Sequence, residues 1–101
     1  MKKILLLCAA GMSTSMVVKK MRESAQAKDL DIHIEAHAVE TISQYLSEYD
    51  LFLLGPQIRF KKDELQKIAD PVGKKVEVID MLDYGMMKGD KILEDALALM
   101  D

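Results

Sequence analysis

Apolar and polar positions along the chain alternate between two rhythms. KKILLLCA, residues 2–9, is an unbroken apolar run behind two lysines, and DLFLLG, residues 50–55, repeats that form. Continuous runs of this length predict strands buried on both faces. DIHIEAHAV, residues 31–39, alternates strictly, with Ile32, Ile34 and Ala36 on one face and His33, Glu35 and His37 on the other. KKVEVID, residues 74–80, alternates as well, so these two segments predict strands with one wetter face. Between the strands the period lengthens. Val17, Met21 and Ala25 fall four apart within residues 13–28, with Lys19, Lys20 and Arg22 between them, which predicts a one-faced helix. A short helix is expected over residues 41–46, and another around Leu65, Ile68 and Ala69 that stops before Pro71 and Gly73. A last helix is expected over residues 90–100, with Ile92, Leu93, Ala96, Leu97 and Met100 inward.

Strands alternating with helices imply βαβ units, and therefore an α/β fold of three layers: a four-stranded parallel sheet with helices on both faces. The two continuous strands belong in the middle and the two alternating ones at the edges, which gives the order 2-1-3-4. In such a sheet a ligand crevice opens at the carboxyl ends of strands one and three, where the winding reverses. Cys8 ends strand one, and Gly55, Pro56 and Gln57 follow strand three. The topology alone brings both to the crevice.

Composition narrows the setting. A chain of 101 residues fits one domain, 1–101, with a core of its own. It is 50% hydrophobic and 31% charged, as an ordered globular protein is. A net charge of −3 argues against nucleic acid as a partner. No segment approaches the roughly 20 apolar residues of a membrane helix, so no direct membrane insertion is expected. The start, MKKILLLCAAGMS, has the lysines and apolar run of a signal peptide. The run from Ile4 to Ala10 is at the short limit for one, however, and the same residues are needed as a central strand. A single cysteine forms no internal disulfide, which favours a cytoplasmic location. No metal site is expected either. His33 and His37 share a face, but four residues at about 3.3 Å each set them roughly 13 Å apart, too far for one ion, and they read as surface residues.

A lone cysteine in an apolar run can be a small hydrophobe and nothing more. The neighbours of Cys8 argue otherwise. Residues Ala9 to Met12 carry no branched bulk, and Gly11 lets the backbone turn or approach a ligand closely. Ser13 suits the N-cap of the helix that follows. The first amides of that helix, with those of the loop, make an anion site. The same field favours thiolate over thiol, and it would receive a phosphate carried on the sulfur. The hydroxyls of Ser13, Thr14 and Ser15 add donors, with capping as their structural role. A C-x-x-C redox pair is excluded, because position 11 is glycine and there is no second cysteine. Low-molecular-weight cysteine phosphatases and arsenate-reductase-like enzymes use a C-x5-R loop in the same place. Here Thr14 stands where that arginine belongs. Without the guanidinium the loop lacks its main electrostatic stabiliser for hydrolysis, yet backbone amides still suffice to hold a phosphoryl group. A third class, a binding module in which Cys8 only packs, also fits the strand pattern.

LLLCAAGMSTSMVVKKM, LLGPQI and VEVIDMLDYG, in that order and spacing, resemble the IIB subunit of the lactose/cellobiose class of the bacterial sugar phosphotransferase system. The likeness runs along essentially the whole chain and is closest to the cellobiose or diacetylchitobiose type. It implies a phosphotransferase without a cofactor. Cys8 would accept phosphate from a phosphohistidine of subunit IIA and hand it to a sugar bound by the membrane permease, subunit IIC, with a β-linked disaccharide such as cellobiose expected. The amides of Ala9, Ala10, Gly11, Met12 and Ser13 would cradle the phosphate. Gly55, Pro56 and Gln57 match the family's GPQ turn, and Asp80, Tyr84 and Gly85 its D…YG segment. These are expected at the rim, with Pro56 shaping a turn, Asp80 capping a helix and Tyr84 in core or rim. Two partners need an exposed docking rim. Met12 and Met16, near the helix entrance, are the candidate contacts there, Met12 ahead of Met16 because helical methionines more often face the core. Arg59, Lys61 and Lys62 could meet an acidic partner surface or simply be solvated, and solvation is the expectation. A carrier of this size is expected to be a monomer.

Overall fold

The four apolar or alternating segments are strands in the computed structural model of the protein, which describes residues 1–9 and 12–100 and, at Met12 and Ser13, only the backbone. They are β1 (Lys2–Cys8), β2 (Ile32–Ala38), β3 (Leu51–Leu54) and β4 (Lys75–Val78). They form one sheet in the order β2-β1-β3-β4, with every neighbouring pair parallel. The order expected from the hydrophobic pattern is the order observed. Its cause is visible in the burial. Ile4, Leu5, Leu6 and Leu7 of β1 are all wholly buried, and all four residues of β3 are buried. At the edges only Ile34 of β2 and Val76 of β4 are buried.

Among the described residues five α-helices complete the layers: α1 (Met12–Ala27), α2 (Ile42–Tyr45), α3 (Lys62–Ala69), α4 (Met81–Gly85) and α5 (Gly89–Met100). Successive side chains of a strand point to opposite faces, and two cores result. Ile4, Leu6 and Leu53 pack with Val17 and Met21 of α1 and Ile92 and Leu93 of α5. Leu5, Leu7, Phe52 and Leu54 pack on the other face with Ile42 of α2 and with Leu65 and Ala69 of α3. Each of these side chains larger than alanine contributes about 1.5–3 kcal/mol by leaving water. The exposed edges of a sheet invite mispairing, and side chains engage backbone at both. Gln66 accepts from Val76 N at 2.9 Å and donates to Lys74 O at 3.0 Å, while Arg22 Nε donates to Ile34 O at 2.8 Å.

Several boundaries differ from the sequence pattern. The helix expected over residues 41–46 is a 3-10 turn, Val39–Thr41, running into α2. Helix α3 ends at Ala69 as expected, because Pro71 follows and Gly73 takes a left-handed φ of 70°. Helix α1 starts at Met12, which puts Ser13 inside its first turn instead of at the N-cap.

Candidate functional site

Cys8 is the last residue of β1, opposite Ala38 of β2, and is 8% exposed. Its Sγ donates to the carbonyl oxygen of His37 at 3.7 Å. Ala9 is exposed and outside the strand. Ala10 and Gly11 of the expected phosphate loop lie outside the described residues, as do the side chains of Met12 and Ser13. Ser15 is exposed. Met16 is 44% exposed and does not face the core. Val17, Val18 and Met21 take the inward face of α1 instead.

Thr14 is 2% exposed. Its hydroxyl is turned to Tyr84: Oγ1 lies 2.9 Å from the phenolic oxygen, across 70 residues of sequence. Tyr84 reaches that place because Asp80 fixes the start of α4. The Asp80 backbone is extended, and Oδ2 accepts from Leu82 N and Asp83 N at 3.1 Å each, an N-cap as expected. Just before it, Ile79 N donates to Leu54 O, carrying the β3–β4 pairing one step further.

The turn after β3 meets the same tyrosine. Gly55 N donates to Leu7 O, and Ile58 N returns to Gly55 O, closing the turn over Pro56 and Gln57. Gly55 and Pro56 are buried, while Gln57 is exposed. A β-carbon on Gly55 would lie 3.8 Å from Tyr84 Cε2 and from its hydroxyl. Tyr84 is itself 6% exposed, yet its outer edge joins Pro56, Gln57, Arg59, Phe60, Met81 and Gly85 around an open groove of about 520 Å³. It belongs to the core and lines this groove at once. Phe60 and Met81 on that groove are 75% and 59% exposed. Of the three cations after the turn, Arg59 lines the groove and Lys62 pairs with Glu77 at 3.2 Å.

The structure thus gathers Thr14, Gly55, Pro56, Gln57 and Tyr84, and caps α4 with Asp80. The sequence pattern did not anticipate the Thr14–Tyr84 contact, which joins two helices that no local spacing relates. Phe60 had a signal, as a large apolar residue in the charged stretch IRFKKDE.

On the outer strand β2 the histidines are closer than ladder spacing suggested. The His33 and His37 Nε2 atoms lie 3.2 and 3.1 Å from the two oxygens of Glu35 between them, and Tyr49 donates to Glu35 at 3.0 Å. The rings lean toward the shared carboxylate instead of standing straight from the sheet. The Tyr49 hydrogen bond holds Glu35 below its ordinary pKa, opposed by burial and assisted by His37. Burial first, then the hydrogen bond to Glu35, pushes Tyr49 up to about 12. Among the described residues no group of three or more His, Cys, Asp and Glu side chains is arranged to hold a metal ion. No helix among them is long and apolar enough to cross a membrane.

Comparison with known proteins agrees with the geometry. A family model described as the PTS system, lactose/cellobiose-specific IIB subunit, matches residues 3–95. The oligo-beta-mannoside-specific EIIB component of Bacillus subtilis (strain 168) is 49% identical over 100 residues, covering 99% of this chain and 97% of that protein. The cellobiose-specific EIIB component of Lactococcus lactis subsp. lactis (strain IL1403) is 45% identical over 105 residues, with the same coverage of each chain. The lactose-specific IIB domain from Streptococcus pneumoniae shares the fold, with a TM-score of 0.87 at 22% identity over 96% of this chain and 95% of that one. By family model and by end-to-end likeness alike, the chain belongs to the lactose/cellobiose-specific IIB family, phosphotransferases that work with IIA and IIC components in the sugar phosphotransferase system.

Proposed function

We propose that this protein carries a phosphoryl group on Cys8, taken from a phosphohistidine of a IIA subunit and given to a sugar held by a IIC permease. The observation that carries this reading is the position of Cys8. It ends the central strand β1, which pairs with β3 where the winding of the sheet reverses, and a 16-residue helix begins four residues later. In the first step the Cys8 sulfur attacks phosphorus as the P–N bond breaks; the thiol proton departs and the histidine nitrogen gains one. In the second a sugar hydroxyl attacks, the S–P bond breaks, the hydroxyl proton departs and the thiolate is restored. Both are in-line displacements that need positioning and charge stabilisation, with no change of oxidation state and no cofactor.

The backbone amides of Ala9, Ala10, Gly11, Met12 and Ser13, with the hydroxyls of Ser13 and Ser15, hold the phosphoryl oxygens. Thr14 contributes its place in the first turn of α1, since its hydroxyl faces Tyr84. Gly55, Pro56, Gln57, Asp80 and Tyr84 form the rim. Because no arginine occupies position 14, the loop holds the phosphoryl group without the group that hydrolases use to transfer it to water. The sugar is a β-linked disaccharide or short oligosaccharide, in keeping with the cellobiose and oligo-beta-mannoside specificities in the names of the relatives. The chain acts as one domain, 1–101, a cytoplasmic monomer that presents its rim to each partner in turn.

The test is incubation with phosphoenolpyruvate, the general phosphotransferase proteins and a IIA subunit, followed by mass spectrometry. One phosphate is expected on Cys8 and none on the Cys8→Ser protein. A wild-type protein that stays unmodified would sink the proposal. Turnover of a chromogenic phosphate ester that depends on Cys8 would assign the protein to the phosphatases instead.

A further inference from the structure

The buried Thr14–Tyr84 pair has no counterpart in the two chemical steps, yet it stands beside them. Thr14 lies in the first turn of α1, two residues after the helix begins, and Tyr84 lies in α4. The phenol is fixed from three directions. Asp80 caps α4, the β3–β4 ladder continues through Ile79 N to Leu54 O, and the ring lies against Gly55 at the end of β3. Its hydroxyl therefore transmits the position of the β3 and β4 ends to the start of α1.

We propose that Tyr84 is a positioning residue for phosphoryl transfer: its hydroxyl holds Thr14, and through Thr14 the first turn of α1, at the place where the phosphoryl group on Cys8 is received. This rests on the phosphocysteine reading above and extends it to a residue outside the loop. A hydrogen bond between two buried hydroxyls is strengthened by the low dielectric around it. Transfer through a loose, in-line transition state depends on donors held in register, and a misplacement of about 1 Å costs on the order of 100-fold in rate. Both members are neutral, so the pair fixes the helix start without placing a cation at the position a phosphatase gives to arginine.

The test is rapid-quench transfer of labelled phosphate from a phosphorylated IIA subunit to Cys8, measured well below the melting temperature of every variant. Tyr84→Phe keeps the ring and its packing and removes only the hydroxyl. It is expected to lower kcat about 10- to 100-fold with the KM for the donor within about twofold of wild type. Thr14→Val is expected to match it, Thr14→Ser to restore most of the rate, and the double variant Thr14→Val/Tyr84→Phe to be no slower than the slower single variant. A wild-type kcat in Tyr84→Phe overturns the proposal. So does a raised KM at unchanged kcat, which would make Tyr84 a docking contact, and so do losses that multiply in the double variant. A wild-type protein that accepts no phosphate is a different failure: it removes the phosphocysteine reading itself, and the role of Tyr84 falls with it.

Discussion

Helix α5 begins so close against α1 that a β-carbon on Gly89 would stand 2.5 Å from the backbone carbonyl carbon of Lys20. It would also lie 2.6 Å from Met21 N, so the obstacle is backbone and cannot swing aside. Gly89→Ala must push the two helices apart where Val17 and Met21 meet Ile92 and Leu93. Overpacking of this kind costs about 1–3 kcal/mol. Urea denaturation should show a lower midpoint at an unchanged slope. Gly85→Ala is the control, since nothing lies within 4 Å of its added carbon. Equal midpoints for the two variants would refute this account of the α1–α5 contact.

Gly89 also marks where the sequence stopped being legible. Strand order could be read because burial on one or both faces writes itself directly into periodicity: Leu51 to Leu54 is continuous, and Ile32 to Ala38 alternates. Cys8 and the Gly55–Gln57 turn could be placed at one crevice because topology fixes which strand ends adjoin. Contacts between elements distant in sequence leave no such trace. Thr14 looked like one more hydroxyl for an anion, and only the packing of α4 turns it to Tyr84. The helix phase set by Val17 and Met21 leaves Met16 outside, although residue type makes it the less favoured of the two methionine contacts. His33 and His37 were separated by ladder arithmetic that holds for backbone, while their rings converge on Glu35.

Asp80 stabilises α4 by accepting two backbone amides, and α4 carries Tyr84. Asp80→Ala should therefore cost about 0.5–2 kcal/mol of stability, the usual range for a lost N-cap. Asp80→Asn, which retains a side-chain acceptor, should recover most of it. Thermal melts of the three proteins provide the comparison. Equal melting temperatures for wild type and Asp80→Ala would show that the cap contributes nothing.

Glu35 predicts the acid limb of stability. Its carboxyl is held below the ordinary value of 4.5, chiefly by the Tyr49 hydroxyl. A depressed native pKa means that the unfolded chain takes up this proton first as pH falls. The stabilisation is present above pH 4.5 and is lost as pH drops through the lower native value. Glu35→Gln should flatten the pH dependence of the melting temperature below pH 4.5 relative to wild type, with the contribution small because the carboxylate is partly exposed. Parallel curves for the two proteins would rule Glu35 out as a contributor.

Tyr49 predicts the alkaline limb with the opposite sign. Burial raises its pKa from 10.0 to about 12, so the unfolded chain ionises here before the native one. Its stabilisation is present below pH 10 and is lost as pH rises toward 12. Ultraviolet titration of the native protein should show a phenol transition near pH 12 that Tyr49→Phe lacks. A wild-type titration without that late transition would contradict the burial argument.

Phe60 bears on how a partner is engaged. With Met81 at 59% exposure, it leaves two large apolar side chains in water on the groove that Tyr84 lines. Monomeric proteins seldom expose such groups together except where something covers them. Arg59 on the same groove adds a positive charge suited to a donor that arrives bearing phosphate. In the carrier reading that occupant is the phosphorylated IIA subunit, because continuity with Tyr84 places the groove beside the receiving site. Phe60 makes little contact within this chain, so Phe60→Ser should leave the melting temperature nearly unchanged. The same substitution removes an aromatic contact of the type that dominates binding energy at interfaces, worth about 1–2 kcal/mol or more. The KM for the phosphorylated donor should rise roughly 5- to 30-fold, with kcat for Cys8 phosphorylation near wild type. An unchanged KM would remove Phe60 from the donor interface. A loss confined to kcat would assign it to positioning, alongside Tyr84.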